Sequence, residues 1–177
     1  MTRDELEHAI RAACDVAEDT EVYVFGSQAI LGQHPEAPAA LRQSAEADIT
    51  PKNRPDRADV VDGSLGELSL FHQTHGFYVH GVSVETLVLP EGWKERLVRV
   101  QNENTHQFTG WCVEGHDLAA SKLVAFRDKD RNFVRVMLIE RLIDEATLEG
   151  RIRSLAVSQA DRERLVFWVA RTCQELE

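Results

Sequence analysis

The stretch VYVFGSQAILGQ, residues 22–33, decides how the chain begins to fold. Val22, Tyr23, Val24 and Phe25 have the length and the β-branched or aromatic character of a buried strand. The run ends at Gly26-Ser27, and helical spacing starts at once with Ala29, Ile30 and Leu31. A chain leaves a strand this way for one of two reasons. A tight turn needs the conformational freedom of glycine. Alternatively, an anion must come close to the backbone, where the N–H groups at a helix start hold phosphate.

Upstream, a helix over residues 3–18 places Leu6, Ile10, Ala13 and Val16 on one face. This acidic amphipathic segment does not read as a signal peptide. Downstream, GQHPEAPAALRQ reads as a loop with one helical turn, and AEADITP as a short strand stopped by Pro51. NRPDRADVVDGSLGELSLFHQTHG reads as loop and broken helix ending at Gly76. FYVHGVSVETLVLP carries the strongest strand signal, WKERLVRVQNE continues as strand or hairpin, and FTGWCVEG adds a further strand.

Beyond residue 115 the spacing is helical throughout HDLAASKLVAFRDKDRNFVRVMLIERLI. Gly150 punctuates it, and Ser158 is the N-cap of a final helix, SQADRERLVFWVARTCQEL. The pattern predicts an α/β (α+β) chain with a small mixed sheet. Residues 1–115 form the α/β core, and residues 116–177 form a helical subdomain that completes a cleft.

At 177 residues the chain is long enough to bury a real core. No stretch reaches 18 apolar residues, so no membrane span is expected. Three cysteines (Cys14, Cys112 and Cys173) lie far apart without a CxxC, which suits a reduced, cytoplasmic protein without disulfides or zinc. The net charge of −10 argues against a general nucleic-acid coat protein, which needs surplus Lys and Arg. It leaves room for a local basic patch beside an acidic, metal-binding cleft.

Within AEADIT, strand alternation puts Glu46, Asp48 and Thr50 on one face and Ala47 and Ile49 on the other. Two carboxylates so close repel unless a cation neutralises them, and Mg²⁺ takes carboxylates together with substrate phosphates. A solvated edge strand would explain the same pattern. Lys122 has Leu118 at i−4 and Ala125 at i+3, so it projects from an apolar face. It either snorkels or aims its charge at a triphosphate in a cleft.

Asp130 has Phe133, Val134 and Met137 at i+3, i+4 and i+7 and therefore points inward. Asp128, with Arg131, Asn132 and Arg135 on its side, points outward. Asp130 is thus the working acid of RDKD or one half of a buried salt bridge with Lys122. Arg127, Arg131 and Arg135 form a basic stripe, which is either solvated surface or a contact for an acceptor's phosphates.

Strand–GS–helix, then an acid-x-acid strand, then DLAASKLVAFRDKD, resembles the minimal nucleotidyltransferase fold of the polymerase-beta superfamily. It looks most like nucleotidyltransferase toxins of the AbiEii/MenT type. The resemblance covers most of residues 21–140. It implies that Gly26 and Ser27 bind the triphosphate of an NTP, that Glu46 and Asp48 bind Mg²⁺, and that Lys122 contacts nucleotide phosphates. It makes Asp130 a further catalytic acid. It also implies a Mg²⁺-dependent nucleotidyltransferase whose acceptor is a tRNA 3′ end, working as a toxin beside a cognate antitoxin.

The chain departs from that pattern in three places. Glu46 stands where aspartate is usual, Asp48 lies 21 positions after Ser27, and no third carboxylate is obvious, Glu85 being either that acid or a surface glutamate at a strand end. An inactive nucleotide- or protein-binding module fits those departures. A small-molecule nucleotidyltransferase of the aminoglycoside-modifying kind fits the acidic charge. Among seven histidines, His72 and His75 near a helix end and His80 in a strand lack a third ligand of fixed spacing and read as surface residues. Trp93, Trp111 and Trp168 read as core or interface anchors.

Overall fold

The computed structural model describes residues 1–176. Glu177, the end of the expected helical subdomain, lies outside the described residues. Five strands form one mixed sheet: β1 (Glu21–Phe25), β2 (Glu46–Pro51), β3 (Tyr78–Gly81), β4 (Val98–Val100) and β5 (Thr109–Cys112), in the order β3-β2-β1-β5-β4. β1 pairs antiparallel with β2 and parallel with β5. The flanking pairs are β2–β3, parallel, and β4–β5, antiparallel.

Register gives the sheet two unlike faces. Val22, Val24, Ala47, Ile49, Val79 and Cys112 share one face, and all are fully buried. Helix α1 (Arg3–Ala17) covers it, starting from a capping box between Thr2 and Glu5. A Cβ on Gly110 of β5 would stand 2.4 Å from Ile10 Cδ1, so glycine there lets α1 lie close to the sheet. Leu6, Ile10 and Ala13 of α1 are fully buried, as their spacing requires, and Val16 only partly so. The other face carries Tyr23, Phe25, Glu46, Asp48, Tyr78 and His80.

The helix expected after Ser27 is short: a 3-10 turn at Ser27–Ala29 runs into α2 (Ile30–Gln33). The broken helix before Gly76 is present as α3 (Ala58–Leu65) and α4 (Leu70–His75). The strand expected throughout FYVHGVSVETLVLP is not. Only Tyr78–Gly81 pairs, and a 3-10 turn follows at Val84–Thr86. α3 crosses at this point, with Ala58 O 2.1 Å from where a Gly81 Cβ would be and Asp62 accepting from the Gly81 N–H. The Val and Leu residues beyond pack on the core from an irregular segment instead of extending the sheet edge.

Four helices follow: α5 (Gly115–Ala125), α6 (Asp128–Ile139), α7 (Glu145–Arg153) and α8 (Gln159–Leu176). The helical run expected from residue 116 breaks at Phe126, which adopts the left-handed conformation (φ 53°). Its carbonyl accepts from Arg131, and its ring meets Trp168 and the guanidinium groups of Arg131 and Arg164. Those contacts hold an unfavourable backbone in place. Gly150, expected as a break, lies inside α7 with open space where its side chain would be. Ser158 caps α8 as expected, accepting from the Asp161 N–H at 3.1 Å.

One apolar core runs without interruption from Leu6 to Val169, joining the sheet to all four C-terminal helices. Within it, Asp117 is fully buried, accepts two hydrogen bonds from Arg96 and ion-pairs with Arg151 at 2.9 Å. Burial pushes the Cys14 and Cys112 thiols up to about 12, so both are inert at neutral pH. Among the described residues no helix is long and apolar enough to cross a membrane.

Glu114 caps α5, Asp144 caps α7, and His116 bridges the two caps with Nδ1 at 2.7 Å and Nε2 at 3.2 Å from their carboxylates. Burial opposes charge on His116, but Glu114 and then Asp144 outweigh it and raise its pKa above the ordinary histidine value. The stability this confers is fully present below the unfolded-state pKa, about 6.5, and is lost as pH rises through the higher folded value. His116→Gln is therefore expected to lower the midpoint of urea unfolding strongly at pH 5.5 and much less at pH 9. An equal loss at both pH values would mean that the imidazole is held uncharged.

Candidate active site

Gly26, where β1 ends, has φ 65° and ψ −169°, a region that only glycine occupies readily. A Cβ there would lie 1.9 Å from Asp48 Oδ2. Glycine is thus required twice, by its dihedrals and by a carboxylate pressed against the turn. The pressing group is the chain's own, because β1–β2 register sets Asp48 opposite Phe25.

Beside this turn is a cavity of about 620 Å³. Gly26, Ser27, Glu46, Asp48, Lys122 and Asp130 all line it, although they come from the turn after β1, from β2, from α5 and from α6. Lys122 reaches from α5 to donate to Ser27 Oγ at 2.9 Å, and its ammonium lies 4.5 Å from the Phe133 ring centre. Asp130 Oδ1 is 3.7 Å away. Burial lowers the Lys122 pKa from the usual value, with Asp130 and Asp48 working against that shift. Asp130 is 2 % exposed and also accepts from Arg127 Nε at 2.6 Å, whereas the Asp128 side chain is 89 % exposed. The inward and outward assignments made from helical spacing therefore hold, and so does the Lys122–Asp130 pair.

Glu46 and Asp48 stand on one face of β2 beside His80 of β3. Parallel pairing puts Asp48 opposite His80 and Glu46 opposite Tyr78. His80 Nδ1 is 3.1 Å from Asp48 Oδ1 and 3.9 Å from Glu46 Oε1. Tyr78 Oη donates to Glu46 Oε2 at 2.7 Å. Burial, and then the charge of Glu46, push Asp48 up to about 6. Among the described residues neither carboxylate is ion-paired to a lysine or arginine.

His80 is exposed, as read from the sequence, but Asp48 and Glu46 of β2 stand beside it, which that reading did not foresee. Its neighbours come from another strand, so spacing within its own segment could not find them. The available signal was the pair of alternations E-x-D and Y-x-H on two candidate strands. His72 and His75 stay outside the group: His72 Nδ1 accepts from the Leu68 N–H, and His75 packs on His8 and Phe71. Glu85 lies in the turn at Val84–Thr86 and does not line the cavity. The arginine stripe is engaged within the protein, Arg127 with Asp130, Arg131 with Asp128 and Arg135 with Glu175. Trp93 packs edge-on against Tyr23 and Phe25, Trp111 donates to Glu21, and Trp168 packs on Phe126.

A glycine turn, paired acids and a buried lysine surround one cavity. A family model described as "Nucleotidyltransferase of unknown function (DUF6036)" matches residues 4–171, and the chain belongs to that family. No curated protein and no solved structure matches the chain.

Removing one partner of a buried ion pair strands the other charge, at a cost of about 3 kcal/mol. Asp130→Ala is expected to destabilise the protein by about that much in urea unfolding. The double variant Lys122→Met, Asp130→Leu should recover most of the loss. An Asp130→Ala protein as stable as the parent would show that the pair contributes nothing to the fold.

Proposed function

We propose that the protein transfers a nucleoside monophosphate from an NTP to an acceptor with the help of Mg²⁺. One observation carries this reading. Six residues spread from Gly26 to Asp130, each matching a motif of the resemblance, line one cavity in a chain of a nucleotidyltransferase family.

The donors fit a divalent ion. Two neighbouring carboxylates without a lysine or arginine partner, one with its pKa raised to about 6, suit a divalent cation. Glu46 and Asp48 would hold Mg²⁺, whose preference is for carboxylate oxygen. Once bound, the ion supplies Lewis-acid charge at the reacting phosphate. Gly26 and Ser27 would meet the β- and γ-phosphates, as the resemblance implies. Lys122, already aimed at Ser27, offers positive charge to the β- and γ-phosphates. Asp130 and Ser27 orient that lysine. Phe25 and Leu118 form an apolar part of the cavity wall.

For the acceptor, the toxin resemblance supports a tRNA 3′ end, with an antitoxin as partner. Lys129 at the cavity wall is a local base that could meet such a polyanion. A second observation favours a small cationic acceptor. A second cleft, sharing Glu46 with the first, is lined by Asp62, Glu67, Tyr78 and His80 and by no lysine or arginine. Residues 116–177 hold as many acids as bases, so the whole charge of −10 belongs to the half that carries this cleft. An amine-bearing polyol suits such a field better than RNA.

The test incubates purified protein with each α-³²P-labelled NTP and Mg²⁺, with total RNA in one arm and an aminoglycoside in the other. Labelled product is expected in one arm, reduced at least about 100-fold by Asp48→Asn. Nucleotide binding without transfer in either arm would instead make the protein a binding module.

A further inference from the structure

His80 is the residue that the proposed reaction leaves without a part, and its position argues for one. On β2 and β3 the residues Glu46, Asp48, Tyr78 and His80 face the same side. Tyr78 occupies Glu46 Oε2, while Glu46 Oε1 lies 3.9 Å from His80 Nδ1. One donor atom from each of Glu46, Asp48 and His80 lies within 4.8 Å of the other two. The two carboxylates are the only charged partners of the half-exposed imidazole among the described residues. The donor set is therefore two carboxylates and one imidazole.

A third carboxylate would have made an all-oxygen, triply negative set suited to Mg²⁺. Imidazole removes one negative charge and adds a softer nitrogen. Neutral nitrogen ligands draw first-row transition ions, whereas Mg²⁺ gives up its water reluctantly and favours oxygen. We infer that Glu46, Asp48 and His80 form a three-donor metal site that takes a divalent transition ion, Mn²⁺ as its probe, in preference to Mg²⁺. The inference rests on the reading of Glu46 and Asp48 as the metal-holding pair, and it alters that reading in the choice of ion and in the third ligand.

The experiment is electron paramagnetic resonance on the tag-free full-length chain titrated with MnCl₂. One Mn²⁺ per chain is expected, displaced only by an excess of Mg²⁺ of about tenfold or more. Electron spin-echo envelope modulation should show a directly bound ¹⁴N. In His80→Ala the nitrogen signal should vanish and Mn²⁺ affinity should fall at least about tenfold. His80→Asp should bind Mn²⁺ without the nitrogen signal and shift selectivity toward Mg²⁺. Because the side chain is half exposed, unchanged circular dichroism is expected for both variants.

Mn²⁺ bound without nitrogen modulation, a signal that survives in His80→Ala, displacement by equimolar Mg²⁺, or no Mn²⁺ binding would each overturn the inference. Transfer supported by Mg²⁺ alongside any of those results would sink the inference and keep the transferase reading. A His80-dependent nitrogen signal in a protein that transfers nothing would do the reverse.

Discussion

An oxygen of the Asp48 carboxylate fills the space that any side chain at position 26 would need. The rest of the site hangs on that contact. It exists because β1 and β2 pair antiparallel in a register that sets Phe25 against Asp48. It is tolerated because Gly26 has no Cβ and adopts dihedrals closed to other residues. A shift of one residue in register would turn Glu46 and Asp48 into the apolar layer under α1 and bring Ala47 and Ile49 out. The full burial of Ala47 and Ile49 therefore holds the acids at the cavity.

Lys122 joins α5 to the turn after β1 at the same place. Its hydrogen bond to Ser27 spans 95 residues, and Asp130 is pulled to it by the break at Phe126. A lysine in this position, with burial lowering its pKa, is restrained by neighbours on both sides of the cavity. Rigid placement of a charge is what a phosphate site requires, since a group ordered in advance loses little freedom when its ligand arrives. Around this point the charges are sorted: a lysine by the glycine turn, carboxylates in the middle of the face, and an acidic cleft beyond β3.

Much of this was legible in the sequence because it is local. Strand–GS–helix needs only the end of an apolar run and the glycine after it. Glu46 and Asp48 share a face by alternation, and Asp130 is separated from Asp128 by the helical period alone. The Val-rich segment after His80 misled for an instructive reason. Hydrophobic and β-branched residues report that a stretch is buried, whereas a strand also needs a free neighbour edge, and α3 closes that edge at Gly81. Gly150 misled in the opposite sense, since an exposed glycine inside a helix weakens it without ending it.

The sequence by itself determined the class of fold, the turn, the paired acids and the inward lysine and aspartate. Each of those follows from contacts within one element or from its period. The tertiary structure alone decided what stands beside them. It brought His80 and Tyr78 to the acids from a strand 32 residues away, paired Lys122 with Ser27 across the chain, and excluded Glu85. Pairing register and helix breaks depend on packing between distant segments, and no local pattern encodes which strand will lie next to which.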